Sequence, residues 1–384
     1  MRGWRLISAL WLLLSVTCSC RIDPPLHLRK AVEAEIVLTT EVHVEFMWQV
    51  DWETLWDFAW VEEALGPLSY NDPKSMRLHV YTLGPDGEPS THQVHNFKGL
   101  EGSVRVFVGT HNFLFHNNDS EVILFESEDD MAPIQATTRI ISPGLRESTM
   151  IQTIAQKSKA DETKDYYTGE EPVAYAPDEL FSLFDKAHVI TDDLSQYEYI
   201  DGRYVIRIKG QLLPSTYIYL IQVRLHNNNG RVIGCGGGAA ITGAAAGVDL
   251  VTRQTWDQTV SIPFDMYINK EEDPDLLGGR VISFGLKGCR NPYGNGGDEK
   301  EADDARHYLV LSLSYDNGGY KNVRIDITDQ FQELPTGGVI TLDLDVNDFP
   351  PDDPPNPPPG GEGGGFQALI NDWNEETGSV TIIN

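Results

Sequence analysis

The chain has 384 residues, which is enough for two or three domains of ordinary size. Its 58 acidic residues against 29 basic ones give a net charge of −29. Such a charge argues against nucleic acid as a partner and against electrostatic binding to anionic lipid, because both need a basic surface. Hydrophobic residues make up 40% of the chain, which excludes wholesale disorder.

Residues 1–20 have the pattern of a lipoprotein signal peptide. Two arginines precede the apolar stretch 6–16, which is too short to span a bilayer. Just after it, a small residue followed by Cys resembles the signal at which a cysteine is acylated before cleavage. We favour Cys20 over Cys18 as the lipidated residue, because Ser19 precedes Cys20 directly. Acyl chains would hold the protein to a membrane without a spanning helix, and ordinary secretion is the alternative.

Strand patterns dominate the mature chain. Apolar and polar residues alternate in many segments, for example 217–225 and 340–346, and this period of two predicts half-buried antiparallel strands. Turn sequences such as 84–87 and 316–319 separate them. This spacing predicts one or more β-sandwiches. The Gly/Ala-rich run 234–247 is interpreted as chain packed where only small side chains fit.

Two segments are predicted to be helical, 52–65 and 177–187. Four tryptophans recur every fourth residue at and before the first of them, which would place them on one helix face. We favour a core-facing role for these rings, and an exposed platform that stacks on sugar rings is the alternative. The four residues are Trp48, Trp52, Trp56 and Trp60.

Composition predicts the division of the chain. A polar linker separates two strand-rich blocks, and a Pro/Gly spacer leads to an apolar, strand-like tail. We expect the tail to return to its own chain, and addition to the sheet edge of a neighbouring subunit is the alternative. The predicted parts are the signal peptide 1–20, an N-terminal β-sandwich 31–145, the linker 146–175, a C-terminal β-sandwich 176–348, the spacer 349–365 and the tail 366–384.

Motifs for catalysis or metal binding are absent from the sequence: there is no Gly-x-Ser-x-Gly, P-loop or His-Glu-x-x-His. We therefore predict no catalytic, cofactor-binding or metal-ligating residues. The close pairs His92 with His95 and His111 with His116 lack carboxylates at a metal spacing, so we interpret the histidines as solvent-exposed. The acidic segment 343–348 is interpreted as a strand with an acidic face, in preference to a calcium loop.

The two remaining cysteines leave two alternatives open. Cys235 and Cys289 could form a disulfide in an oxidising compartment, or they could be small buried side chains. Neither belongs to a Cys-x-x-Cys motif or to a Cys/His spacing typical of zinc sites. Sequence alone does not choose between a bridge and two free thiols.

Several motifs, in this order, carry a family resemblance. They are Cys18-Ser19-Cys20, the strand 104–115 closing on His116-Asn117-Asn118-Asp119, the segment 175–180, Phe284-Gly285 followed by Cys289, and a tail with Gly363-Gly364-Gly365-Phe366, Trp373 and a final Val-Thr-Ile-Ile. With these motifs the chain resembles a Bacteroidales lipoprotein family of unknown function. That family is similar to the anchor and accessory subunits of fimbrillin-type (type V) pili.

The resemblance implies an all-β protein with two tandem transthyretin-like antiparallel β-sandwich domains and few short helices. It implies a non-catalytic lipoprotein anchored at the outer membrane, either a pilus anchor-like or an accessory structural and adhesion subunit. Its partners would be fimbrial subunits or other surface proteins, joined by strand addition. A lipid-anchored glycan-binding protein is the alternative function. Only one acidic residue, Asp23, closely follows Cys20, which leaves the periplasmic and the outer face both open.

Overall fold

The computed structural model describes residues 30–40, 53, 55–57, 61–128, 133–141, 171–236, 238–270, 274–289 and 306–352. Within them the chain forms 21 β-strands and only two short α-helices, α1 (Glu62–Leu65) and α2 (Thr328–Gln332). The prediction of an all-β fold is therefore confirmed. Most strand pairs are antiparallel, as the period of two predicts.

The first sandwich packs a four-stranded sheet against a five-stranded one. The four-stranded sheet has the order β4 (Glu101–Phe107), β1 (Ala31–Thr39), β10 (Arg203–Gln211) and β9 (Glu198–Ile200). The five-stranded sheet has the order β11 (Leu213–Pro214), β8 (Phe181–Ile190), β5 (Gly109–Asn117), β2 (Ser75–Leu83) and β3 (Pro89–Lys98). Alternate side chains of β1 and β2 fill the core between the sheets: Val32, Ala34, Ile36, Leu38, Met76, Leu78 and Val80.

The second sandwich is built in the same way. One sheet has the order β17 (Met266–Asn269), β18 (Asp275–Ser283), β12 (Tyr217–His226) and β21 (Gly338–Asp345). The other has the order β13 (Val232–Gly234), β19 (Tyr308–Tyr315), β14 (Ala239–Ala245) and β16 (Thr259–Phe264), with β20 (Tyr320–Asp326) paired to β19. Its core contains fully buried side chains of β12 and β19, and Phe331 of α2 packs on Tyr219 with the ring centroids 4.8 Å apart.

A small third sheet lies against the outer face of the five-stranded sheet. It has the order β15 (Gly247–Asp249), β7 (Gln135–Thr138) and β6 (Ile123–Glu126). Beneath it a separate apolar cluster combines Leu114 of β5 with Ala245 and Phe284 from the second half of the chain. The small sheet therefore buries part of one face of the first sandwich and connects it to the second.

The first sandwich extends further along the chain than the sequence predicts. β8, β9 and β10 lie in the predicted C-terminal block, yet they complete the sheets of the first sandwich. The chain passes from the sheets of the first sandwich to those of the second between β11 and β12. This boundary does not coincide with the predicted linker 146–175. β10 runs parallel to β1 although about 170 residues separate Glu33 from its partner Val205, and a local sequence pattern carries no information about such a pairing.

Of the two predicted helices, 177–187 is wrong, and 52–65 is helical only in part over the described residues. Segment 177–187 contributes to β8, because its backbone pairs with β5 from His116 to Gly109. Residues 55–57 are not helical, because the amide of Gln222 on β12 binds this stretch instead, donating to Leu55 O (2.7 Å) and accepting from Asp57 N (3.0 Å). In the remainder of 52–65, α1 and Glu53 are helical, and residues 52, 54 and 58–60 lie outside the described part.

The Gly/Ala-rich run forms β14, in which every residue is buried, so the packing interpretation is confirmed. Gly243 interrupts the register of β14 with β16 and has φ +79°. A Cβ atom there would lie 2.8 Å from the backbone oxygen of Arg306 and 2.7 Å from Nδ1 of His307. The strand therefore needs glycine at this position for two reasons, conformation and space.

We expect Gly243→Ala to lower the free energy of unfolding by about 2–4 kcal/mol, because left-handed strain and overpacking add. Gly87→Ala is the matched control. Its φ is +84°, but a Cβ there meets nothing within 4 Å, so it should lose only the conformational part. Urea denaturation of both variants measures the difference. Equal losses of unfolding free energy would show that the atoms around Gly243 move aside without lowering stability.

Candidate functional site

Three histidines converge on the outer face of the five-stranded sheet. His79 on β2 alternates with Leu78 and Val80, whose side chains enter the core, so its ring points the other way. Antiparallel register places His116 of β5 opposite Arg77. Arg77 lies two residues before His79 on β2, so His116 and His79 share one face of the sheet. His92 of β3 lies on the same face opposite Tyr81. The rings of His79 and His116 are completely buried.

The three rings form a hydrogen-bonded chain. His79 Nδ1 lies 2.9 Å from His92 Nε2, and His79 Nε2 lies 3.1 Å from His116 Nε2. His116 Nδ1 lies 2.9 Å from the backbone oxygen of Asn117. Because a carbonyl oxygen can only accept, the proton of His116 sits on Nδ1 and its Nε2 presents a lone pair to His79.

A carboxylate completes the cluster. Glu128 follows β6 in a turn, and its Oε1 lies 3.8 Å from His79 Nε2 and 3.7 Å from His116 Nε2. The same oxygen contacts Nη1 of Arg77. Within the described ranges, His79, His116 and Glu128 form the only group of three or more possible metal-ligating side chains whose ligand atoms all lie within 4.8 Å of one another.

Burial keeps the two inner histidines neutral. Desolvation, with smaller contributions from His116, His92 and Arg77, lowers the pKa of His79 to about 2. Desolvation also lowers the pKa of His116 to about 4, although its bond to the Asn117 carbonyl acts in the opposite direction. Neutral imidazoles are the form in which histidine donates a lone pair.

The prediction of solvent-exposed histidines is therefore wrong for several residues. His79, His111, His116 and His307 are at most 1% exposed. The alternation around His79 indicates that it faces away from the core, but only the small sheet, whose strands come from distant parts of the chain, explains why that face is covered. No spacing in the sequence links positions 79, 92, 116 and 128.

The other candidate residues have separate locations. Cys235 and Cys289 are buried in the second sandwich and are not joined by a disulfide, so the bridged alternative is not the one seen. Burial raises the pKa of Cys235 to about 12, which leaves an unreactive thiol. The predicted lipidation site at Cys18 and Cys20 lies outside the described residues. No helix in the described part is long and apolar enough to cross a bilayer.

Trp56 is 6% exposed and belongs to the core of the second sandwich. This agrees with the core-facing interpretation for the one tryptophan of the series that the structure describes. Trp48, Trp52 and Trp60 lie outside the described residues, so their role stays a prediction. An aromatic platform would have to form without Trp56.

A cleft between the sandwiches contains a partly buried ion pair. Arg280 Nη2 of β18 lies 3.4 Å from Glu179 Oε1, and both side chains are about 15% exposed or less. Glu179 Oε2 also accepts a hydrogen bond from the backbone N–H of Asn71 at 2.7 Å. Burial raises the pKa of Glu179 and lowers that of Arg280, since desolvation disfavours both charges. The pair connects β18 of the second sandwich to chain entering β8 of the first.

Among the strands that the structure describes, the first sandwich has an open sheet edge. β9 pairs with β10 only from Arg203 to Val205. From Ile206 to Gln211, β10 pairs with β1 on one side and, among the described strands, with nothing on the other. β9 itself exposes Tyr199 and Ile200. Unpaired backbone groups at such an edge are a template for an added strand.

Two tandem β-sandwiches define the fold class of the protein, and comparison with known proteins gives the family. The family model described as domain of unknown function DUF5119 matches residues 58–265, and the chain belongs to this family. This agrees with the resemblance to a family of unknown function. No curated protein sequence matches the chain.

Similar solved structures include proteins from Bacteroides and Porphyromonas species. A candidate adhesin from Bacteroides ovatus is 16% identical, with 86% of this chain and 95% of that chain covered and a TM-score of 0.49. A candidate polysaccharide-binding protein from Bacteroides thetaiotaomicron is 9% identical, with 82% and 91% covered and a TM-score of 0.43. The fimbrial anchor protein Mfa2 from Porphyromonas gingivalis is 11% identical, with 82% and 91% covered and a TM-score of 0.39.

Proposed function

We propose that the protein is a non-catalytic structural or adhesion subunit of the bacterial cell envelope, pilus anchor-like or accessory in role. A lipid on Cys20 holds it at the outer membrane, and it binds a fimbrial or other surface protein by accepting a strand. The observation that carries the proposal is the open edge of β10 beside the short strand β9.

The chemistry of this edge suits strand addition. Main-chain hydrogen bonds to residues 206–211 would supply affinity, and alternate side chains would supply specificity. Ile208 is buried on the core side, while Lys209 and Gln211 are exposed on the outer face. The exposed Tyr199 and Ile200 extend the apolar surface that an added strand would cover.

Photo-crosslinking in intact cells tests strand addition. A photoreactive amino acid replaces Lys209 in one variant and Gln211 in another, and Asn317 in the β19–β20 turn is the control position. We expect both edge positions to trap one partner segment, at partner residues two apart, because strands in register advance by two residues per face. Adducts that are absent, or that scatter over unrelated segments, would contradict strand addition at this edge.

The lipid anchor is tested separately. Growth with a fatty-acid analogue should label the wild-type protein, and Cys20→Ala should lose most of the label if Cys20 is the acylated residue. Cys18→Ala is the matched control and should keep it. Label that survives in the double variant Cys18→Ala with Cys20→Ala would show that the protein is not anchored through either cysteine.

A further inference from the structure

We propose that His79, His116 and Glu128 form a binding site for one divalent transition-metal ion, preferably Zn²⁺. The ligand atoms would be Nε2 of each histidine and Oε1 of the glutamate. Such a site goes beyond an envelope structural role and does not depend on it. It would join β2 and β5 of the first sandwich to the turn that follows β6 of the small sheet.

The distances fit a tetrahedral ion. Bonds of about 2.0–2.1 Å place neighbouring ligand atoms about 3.3–3.4 Å apart. In this cluster the two Nε2 atoms are 3.1 Å apart. Glu128 Oε1 lies 3.8 Å from His79 Nε2 and 3.7 Å from His116 Nε2. Movements of a few tenths of an ångström would therefore suffice. Two imidazoles also favour zinc and its neighbours over calcium or magnesium, which prefer oxygen ligands.

Both histidines have the outer hydrogen bonds that metal ligands need. A ligating histidine usually donates its other ring N–H to a fixed acceptor, which orients the ring. His116 Nδ1–H already donates to the Asn117 carbonyl. If His79 binds through Nε2, its Nδ1–H can donate to His92 Nε2, which lies 2.9 Å away. Metal binding would then require only a tautomer change in His79 and His92, with no net loss of a proton from the rings.

Arg77 is a cationic neighbour of the cluster and shares Glu128 Oε1. Its charge opposes an ion in the site, but a carboxylate can bind a metal and accept from a guanidinium together. Arg77 Nε is also held by Asn96 Oδ1 at 2.8 Å, so the guanidinium has a second fixed partner. In this arrangement Arg77 orients Glu128 rather than replacing the ion.

The fourth ligand position faces the partly exposed side of the cluster. The side chain of Glu128 is 25% exposed, whereas those of His79 and His116 are buried. Water or a fourth side chain can therefore reach an ion from the side of Glu128. Three protein ligands with one open position are a known zinc arrangement.

The test uses the full-length chain purified in detergent, stripped with EDTA and titrated with Zn²⁺ against a chromophoric chelator. We expect one ion per chain. His116→Gln and Glu128→Gln should each weaken binding at least tenfold. His226→Gln is the matched control, since His226 Nε2 also lies close to a carboxylate, 2.7 Å from Asp343 Oδ1, but in an exposed pair in the second sandwich.

A second measurement needs no variant. In the ¹⁵N-histidine NMR spectrum, zinc should shift the Nε2 resonances of His79 and His116 through ligation and that of His92 through its change of tautomer. Co²⁺ should give the intense visible absorption of a four-coordinate ion. Glu128→Gln changes a turn residue rather than a core ring, so it remains informative if His116→Gln fails to fold. The proposal is overturned if no zinc binds, if no histidine resonance moves, or if Glu128→Gln binds zinc as tightly as the control.

Discussion

Trp56→Ala is expected to lower the free energy of unfolding by about 3–5 kcal/mol, as for other large buried rings. The indole is 6% exposed in the core of the second sandwich, so its removal would leave a cavity beside β12. Chemical denaturation followed by circular dichroism measures the loss. Tyr199→Ala is the control, because the Tyr199 ring is 66% exposed and its removal should change stability by about 0.5 kcal/mol or less.

The same variant discriminates between the two interpretations of the tryptophan series. A glycan-binding platform that includes Trp56 would lose binding in Trp56→Ala while the unfolding curve stayed unchanged. A large loss of stability would leave only Trp48, Trp52 and Trp60 as candidates for such a platform. An unchanged unfolding curve would contradict the buried position of Trp56.

Breaking the ion pair between the sandwiches should have a comparable effect. We expect Glu179→Ala to cost about 3–5 kcal/mol, because it leaves the Arg280 guanidinium nearly buried without a counter-charge. The N–H of Asn71 also loses its acceptor. Urea denaturation, followed separately by a probe in each sandwich, measures both the loss and whether the two sandwiches still unfold together.

A double variant makes this prediction sharper. Glu179→Leu combined with Arg280→Met removes both charges and should recover most of the stability that Glu179→Ala loses, since two desolvated charges are replaced by apolar side chains. The exposed pair of Arg207 with Glu198 is the control, and Glu198→Ala should not change the midpoint measurably. A double variant no more stable than Glu179→Ala would show that the two charges are not coupled.

Local patterns predict the strands well where apolar residues alternate with polar ones or where a run of small residues is closely packed. The alternation in 217–225 and 340–346 corresponds to β12 and β21, and the small residues of 234–247 correspond to the buried strand β14. Segment 177–187 is misassigned because its apolar residues satisfy both a helical and an extended period. Its pairing with β5, which lies about 70 residues earlier, decides the outcome.

The histidine cluster could not be predicted for a related reason. His79, His116 and Glu128 come from two strands and a turn whose proximity depends on the order of strands in the sheet. A sequence pattern detects ligands that share one strand, helix or loop, and these do not. The buried pair of Glu179 and Arg280 is hidden in the same way, among the 58 acidic residues of the chain.

The position of β1 has a mechanical consequence. β1 is the first described strand, and it lies inside its sheet with seven residue pairs to β4 on one side and seven to β10 on the other. A pulling force directed along β1 from residue 30 acts across both ladders of hydrogen bonds, perpendicular to the antiparallel bonds with β4 and at a slant to the parallel bonds with β10. All of these bonds share the load in shear, whereas an edge strand pulled sideways would peel away one bond at a time. The first sandwich is thus built to resist tension applied from its N-terminal side.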